Sequence, residues 1–185
     1  MVTTIHTSSC SCCGELLRGA FSRRNVMIGA ATFGASAMLA PQFSFAAEGN
    51  YEAMVLGCID PRLQEPVHRY TAHRHLTGKF SQFIIAGAAI GVVADAFKDW
   101  QKAFWDNLAT SIQLHHIKRV IAIDHRDCGA AKIAYGDDKV ANPKIETETH
   151  RTALAEFRKQ VGERHSDLKV ETGLMALNGK IEMFA

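Results

Sequence analysis

Two short motifs carry the side chains that can do chemistry. Cys58-Ile59-Asp60-Pro61-Arg62 sets a thiol, a carboxylate and a guanidinium at two-residue steps, and His125-Arg126-Asp127-Cys128 sets an imidazole three residues before a second thiol. Two cysteines and a histidine form a soft-to-borderline donor set suited to Zn²⁺, with one tetrahedral position left for water, substrate or Asp60. Three protein ligands and an open position make a catalytic arrangement, whereas a structural zinc is closed by four. Such a metal would bring the pKa of a bound water down to about 7 and supply a nucleophile at neutral pH. Asp60 is placed to accept a hydrogen bond from that nucleophile, and Arg62 to hold Asp60 ionised and away from the metal through a bidentate pair.

The motifs work together only if the fold brings them to one place. Ala53-Met54-Val55-Leu56 reads as a buried strand running into the first motif, and Val120-Ile121-Ala122-Ile123 as a β-branched strand running into the second. Phe83-Ile84-Ile85 gives another strand, and Leu168–Glu171 with Lys180–Met183 a late pair around the turn dipeptide Asn178-Gly179. Helices are predicted over Asp95–His116 and Thr147–Val161, the latter closed by Gly162. Alternating strands and helices predict an α/β domain: a mainly parallel four-stranded sheet with an added antiparallel edge strand, flanked by helices. In open α/β sheets the carboxyl ends of the strands bind ligands, and both motifs fall at such ends.

The first fifty residues differ from the rest. Adjacent Arg23 and Arg24 precede an apolar run from Val26 to Leu39, and Ser44-Phe45-Ala46 offers small residues where a signal peptidase reads. The pattern resembles a twin-arginine export signal, so residues 1–46 are expected to be a cleaved leader and 47–185 the zinc domain, in the periplasm of a bacterium. The apolar run is short for a span and rich in small residues, so no stable membrane span is expected after cleavage. Of the five cysteines, Cys10, Cys12 and Cys13 lie in the leader and read as unstructured. The other two are Cys58 and Cys128; an exported disulfide is the alternative to metal, but that export route carries folded proteins, so zinc can be loaded in the reducing cytoplasm first. A net charge of +2 for the whole chain, from 21 basic and 19 acidic residues, is too small and too scattered for a nucleic-acid partner.

The two motifs together resemble the active-site signature of the β-class carbonic anhydrases, and the run from His125 through Gly129 into Ala130-Ala131 is similar to that family's second motif. The resemblance covers about Tyr51 to Gly179 and implies zinc ligands Cys58, His125 and Cys128, with Asp60 and Arg62 as a hydrogen-bonded catalytic dyad and Asp60 as a possible fourth ligand in a closed state. It further implies reversible hydration of CO₂ to bicarbonate and a homodimer or higher homo-oligomer, with Phe97, Trp100 and Phe104 a candidate subunit contact. Departures bear on the substrate. Ile84-Ile85 stands where the family carries an Arg-Asn pair before Ala86-Gly87, and a glutamine before strand one has no counterpart nearer than Asn50. A more apolar pocket would also suit carbon disulfide or carbonyl sulfide, hydrolysed on the same zinc site, and a non-catalytic zinc-binding relative is the remaining reading. His68, His73, His75, His115, His116 and His150 are expected on the surface, any of them able to pass protons to buffer.

Overall fold

The computed structural model describes residues 49–185, so the expected leader, with Cys10, Cys12, Cys13 and the arginine pair, lies outside the described residues. Strand β1 (Ala53–Gly57) is buried along its whole length. It leads through a single 3₁₀ turn at Pro61–Leu63 into helix α1 (Gln64–His73) and back to β2 (Phe80–Ile84). Short α2 (Ala89–Val93) and long α3 (Lys98–His115) cross to β3 (Arg119–His125). After α4 (Gly129–Tyr135), helix α5 (Pro143–Arg164) returns the chain to β4 (Lys169–Met175), and β5 (Ile181–Phe184) ends it.

The sheet order is β2-β1-β3-β4-β5, parallel throughout except for β5, which runs antiparallel to β4. This is the sheet expected from the sequence. Gly179, at φ +88°, closes the β4–β5 connection, and the Asn178 side chain accepts from the Lys180 amide. Parallel strands with helices on both faces must be apolar on both faces, and the core divides accordingly. Met54, Leu56, Val120 and Ala122 pack under Phe104 and Leu108 of α3 and Leu154, Phe157 and Val161 of α5. Ala53, Val55, Ile121 and Ile123 pack on the opposite face with Leu63, Val67 and Leu76.

Three expectations need correction. Helix α5 starts four residues earlier than the sequence suggested, because Asn142 caps the amides of Lys144 and Ile145 and Pro143 takes the first position, where its missing N–H costs nothing. It then passes through Gly162 to Arg164, since exposed Gly162 meets no neighbour and tertiary packing on either side outweighs its weak propensity. Helix α1 was not anticipated at all. Its mean hydropathy is low and only Pro66, Val67 and Thr71 are buried, so it shows a narrow stripe. Finally, Phe97 and Phe104 are buried inside the protomer, the first stacked on Trp100 at 4.6 Å and the second against Phe83, Trp105 and Phe157. Neither is free to touch a second subunit; of the three aromatics only Trp100, 43% exposed, reaches the surface. Among the described residues no helix is long and apolar enough to cross a membrane.

Candidate metal centre

Neighbouring β1 and β3 end at the same edge of the sheet, with Leu56 in register with Ala122. Cys58 follows β1 by one residue, His125 is the last residue of β3, and Cys128 is the residue before the first turn of α4. Their donor atoms all lie within 4.8 Å of one another. His125 Nδ1 is bonded to the carbonyl oxygen of Arg126 at 2.8 Å, which fixes the ring and leaves Nε2 as the free lone pair. That Nε2 is buried without a hydrogen-bond partner. A buried, unpartnered ring nitrogen beside two sulfurs is costly unless something electrophilic joins them, and the donor set fits zinc.

The two thiols are not equivalent. A hydrogen bond from Cys128 holds Cys58 well below the usual thiol range, helped by His125 and by the Gly87 amide, which donates to Cys58 Sγ at 3.3 Å. Cys128 is pushed up correspondingly, first by its bond to Cys58 and then by burial. Burial pulls His125 down, but the neighbouring Cys58 sulfur and the Arg126 carbonyl raise it on balance. All three groups compete for protons that a divalent cation would displace.

Beside this cluster Asp60 is held by Arg62. Nε donates to Oδ1 at 3.0 Å and to Oδ2 at 3.2 Å, Nη2 donates to Oδ2 at 2.7 Å, and the Arg62 amide donates to Oδ1 at 2.9 Å. These bonds hold the Asp60 carboxyl down at about 2, so it is ionised at any working pH. Its Oδ2 stands 4.0 Å from His125 Nε2, close to the donor cluster but outside it. The guanidinium also donates through Nη1 to Asp127 Oδ2 at 2.8 Å and through Nη2 to the Asp127 carbonyl at 3.1 Å, tying the two motif loops together.

Four supporting residues escaped the sequence reading. Asp127 adopts φ +57°, and buried Glu146 accepts its amide at 2.6 Å while its other oxygen accepts from Arg126 at 3.0 Å. His150, expected on the surface, is fully buried and pairs through Nδ1 with Asp124 Oδ2 at 2.9 Å. The missed signal was spacing: Glu146 and His150 stand four apart on the stripe that continues through Leu154, Phe157 and Val161. A cavity of about 340 Å³ opens at Cys58, lined by Ile59, Leu63, Val67, His68, Phe80 and Ile84 among others. A larger groove of about 990 Å³, near Val93, Tyr135 and Ile145, includes none of the metal donors.

The family model described as "Putative carbonic anhydrase" matches residues 48–183 of this chain. The chain belongs to that family. Two relatives of this carbonic anhydrase family member come from Rickettsia bellii and Rickettsia conorii, both described as uncharacterized proteins. They are 33% and 31% identical over 129 residues, which is 70% of this chain and 79% and 69% of theirs. Among solved structures, the β-carbonic anhydrase of Coccomyxa in complex with acetazolamide aligns over 92% of this chain and 85% of its own, with a TM-score of 0.52 and 14% identity. That likeness speaks to the fold, which is the β-carbonic anhydrase fold in a divergent member of the family.

Proposed function

We propose that the protein hydrates CO₂ reversibly to bicarbonate with a zinc ion held by Cys58, His125 and Cys128. The observation that carries this reading is the buried, unpartnered His125 Nε2 between two thiols with an Arg62-locked Asp60 4.0 Å away. A metal-storage site would need the ligands but no such dyad. Zinc bound there supplies a water-derived nucleophile at neutral pH.

The remaining work falls to the chain itself. Asp60, ionised and acceptor-only, takes a hydrogen bond from the nucleophile and turns its lone pair toward the substrate. Arg62 keeps that carboxylate oriented and out of the fourth ligand position. The cavity beside Cys58 offers Ile59, Leu63, Val67 and Ile84 to a small, linear, uncharged molecule, and Gln64, His68, Thr71 and Gln82 as polar partners. His68 lines the same cavity and is exposed, so it is the histidine we assign to passing the proton to buffer.

The apolar part of that lining, Ile59, Leu63, Val67, Phe80 and Ile84, supports a second reading, hydrolysis of carbon disulfide or carbonyl sulfide on the same site. Stopped-flow hydration of CO₂ by the zinc-loaded protein separates the two. CO₂ turnover that Asp60→Ala and Arg62→Ala both suppress supports the proposal; turnover of carbon disulfide with none of CO₂ reverses the ranking. Zinc binding with turnover of neither would favour the non-catalytic relative. We further propose export to the periplasm with removal of residues 1–46, and assembly into a homodimer or larger homo-oligomer. Fractionation with the mass of the mature chain tests the first, and sedimentation of the purified protein the second.

A further inference from the structure

Asp124 and His150 are both fully buried, and the mechanism above uses neither. Asp124 is the penultimate residue of β3, one before His125, so its side chain points to the opposite face of the sheet from that ligand. Its Oδ2 pairs with His150 Nδ1 of α5 at 2.9 Å, and its Oδ1 accepts from the amide of Ala89, the first residue of α2, at 2.9 Å. The Ala89 bond bears on a strained segment. Ala88 takes φ +48° and ψ −112°, a region alanine rarely enters, and Gly87 takes φ +78°. A side chain at Gly87 would meet Ala130 Cβ at 3.0 Å, so this turn is pressed against the helix that follows Cys128. From that position the Gly87 amide donates to Cys58 Sγ at 3.3 Å.

We infer that Asp124 and His150 form a positioning pair that holds the 87–89 turn in its strained conformation and so aims the Gly87 amide at the Cys58 sulfur. His150 orients the carboxylate; the carboxylate anchors the Ala89 amide; the turn two residues back presents the donor to the ligand. A single pair thereby ties α5, β3 and α2 to one metal donor, and it also fixes the backbone immediately before His125. The inference rests on the reading of Cys58, His125 and Cys128 as metal ligands. Outer partners of this kind are worth about 10–100-fold in metal affinity.

The test compares full-length wild-type protein with His150→Phe, which keeps the ring volume but offers Asp124 no partner, and with His150→Asn, whose amide can donate or accept at the place of Nδ1. Three quantities are read: the melting temperature of the metal-free protein, the dissociation constant for Zn²⁺ and for Co²⁺ by competition with a chromophoric chelator, and the thiolate-to-cobalt charge-transfer band. His150→Phe is expected to weaken both metals about 10–100-fold and to shift the band, and His150→Asn to recover most of each. Metal affinity depends on the folded fraction, which stays near one while the metal-free protein melts well above the assay temperature. A pair that served stability alone would therefore lower the melting temperature and leave the dissociation constants and the band unchanged, and that result overturns the inference. Should His150→Phe fail to fold, Asp124→Asn takes its place: its neutral oxygen still accepts from Ala89 but more weakly, and a loss of about tenfold is expected where no loss would overturn. Wild-type protein that binds neither metal overturns the ligand reading itself, an outcome separate from a wild type that binds and a His150→Phe that binds as well.

Discussion

Glu146→Ala should loosen the loop that carries two of the three donors, and the structure sets the size of the effect. Glu146 is 7% exposed and makes two bonds, accepting the Asp127 amide at 2.6 Å and Arg126 Nη1 at 3.0 Å. Hydrogen bonds to a charged partner contribute about 1.5–3 kcal/mol each. Arg126 is partly exposed and keeps Thr147 and the Pro143 carbonyl as partners, so its share falls to about 1 kcal/mol. The Asp127 amide has no such substitute, and it stabilises a left-handed residue lodged between His125 and Cys128, so about 2 kcal/mol belongs to it. The total, about 3 kcal/mol, lowers the melting temperature of a domain of this size by about 10 °C. Glu146→Gln keeps an acceptor for Asp127 while losing the charge at Arg126, and should fall about half as far. Circular-dichroism melts of the metal-free variants read both. A melting temperature for Glu146→Ala within about 2 °C of wild type, or a Glu146→Gln lower than Glu146→Ala, would refute the reasoning.

Further outcomes follow from the dyad and the cavity. Removing the guanidinium in Arg62→Ala should lift the Asp60 carboxyl from about 2 toward the ordinary 3.8, as read by carboxyl-carbon NMR titration. Because the folded value is depressed, Asp60 contributes stability at pH values above about 4 that is lost as pH falls toward about 2, and the variant should show less acid sensitivity across that window. A titration that does not move would mean that some other group holds Asp60. His68→Ala should lower kcat in weak buffer while leaving kcat/KM nearly unchanged, with imidazole in solution restoring the rate; equal losses in both parameters would assign His68 to the substrate cavity instead.

What the sequence showed and what it hid have physical reasons. The strands were legible because β1 and β3 are buried on both faces and so read as continuous apolar runs. The donor set was legible because its members sit within four residues of strand ends, where chain order dictates convergence at one edge of the sheet. Helix α1 was hidden by a buried stripe of three residues, one of them proline and one threonine. The supports of the site were hidden for another reason: Glu146, His150 and Asp124 are polar residues buried by partners far away in sequence, and polarity alone reads as surface. Asp127 was visible in the second motif, but its bond to Arg62 spans 65 positions and depends on the two loops meeting. The aromatic stripe of α3 was correctly seen as periodic, yet periodicity does not say whether a buried face meets its own sheet or a second subunit.

Cys58, His125 and Cys128 are proposed to form one catalytic zinc site. The most direct test follows the initial rate of CO₂ hydration as zinc is titrated into the metal-free protein. The rate should rise in proportion to added zinc and level off at one equivalent per chain, with His125→Ala showing neither the tight binding nor the rate. Full binding of one equivalent with no hydration above the buffer rate, or hydration that persists in His125→Ala, would contradict it.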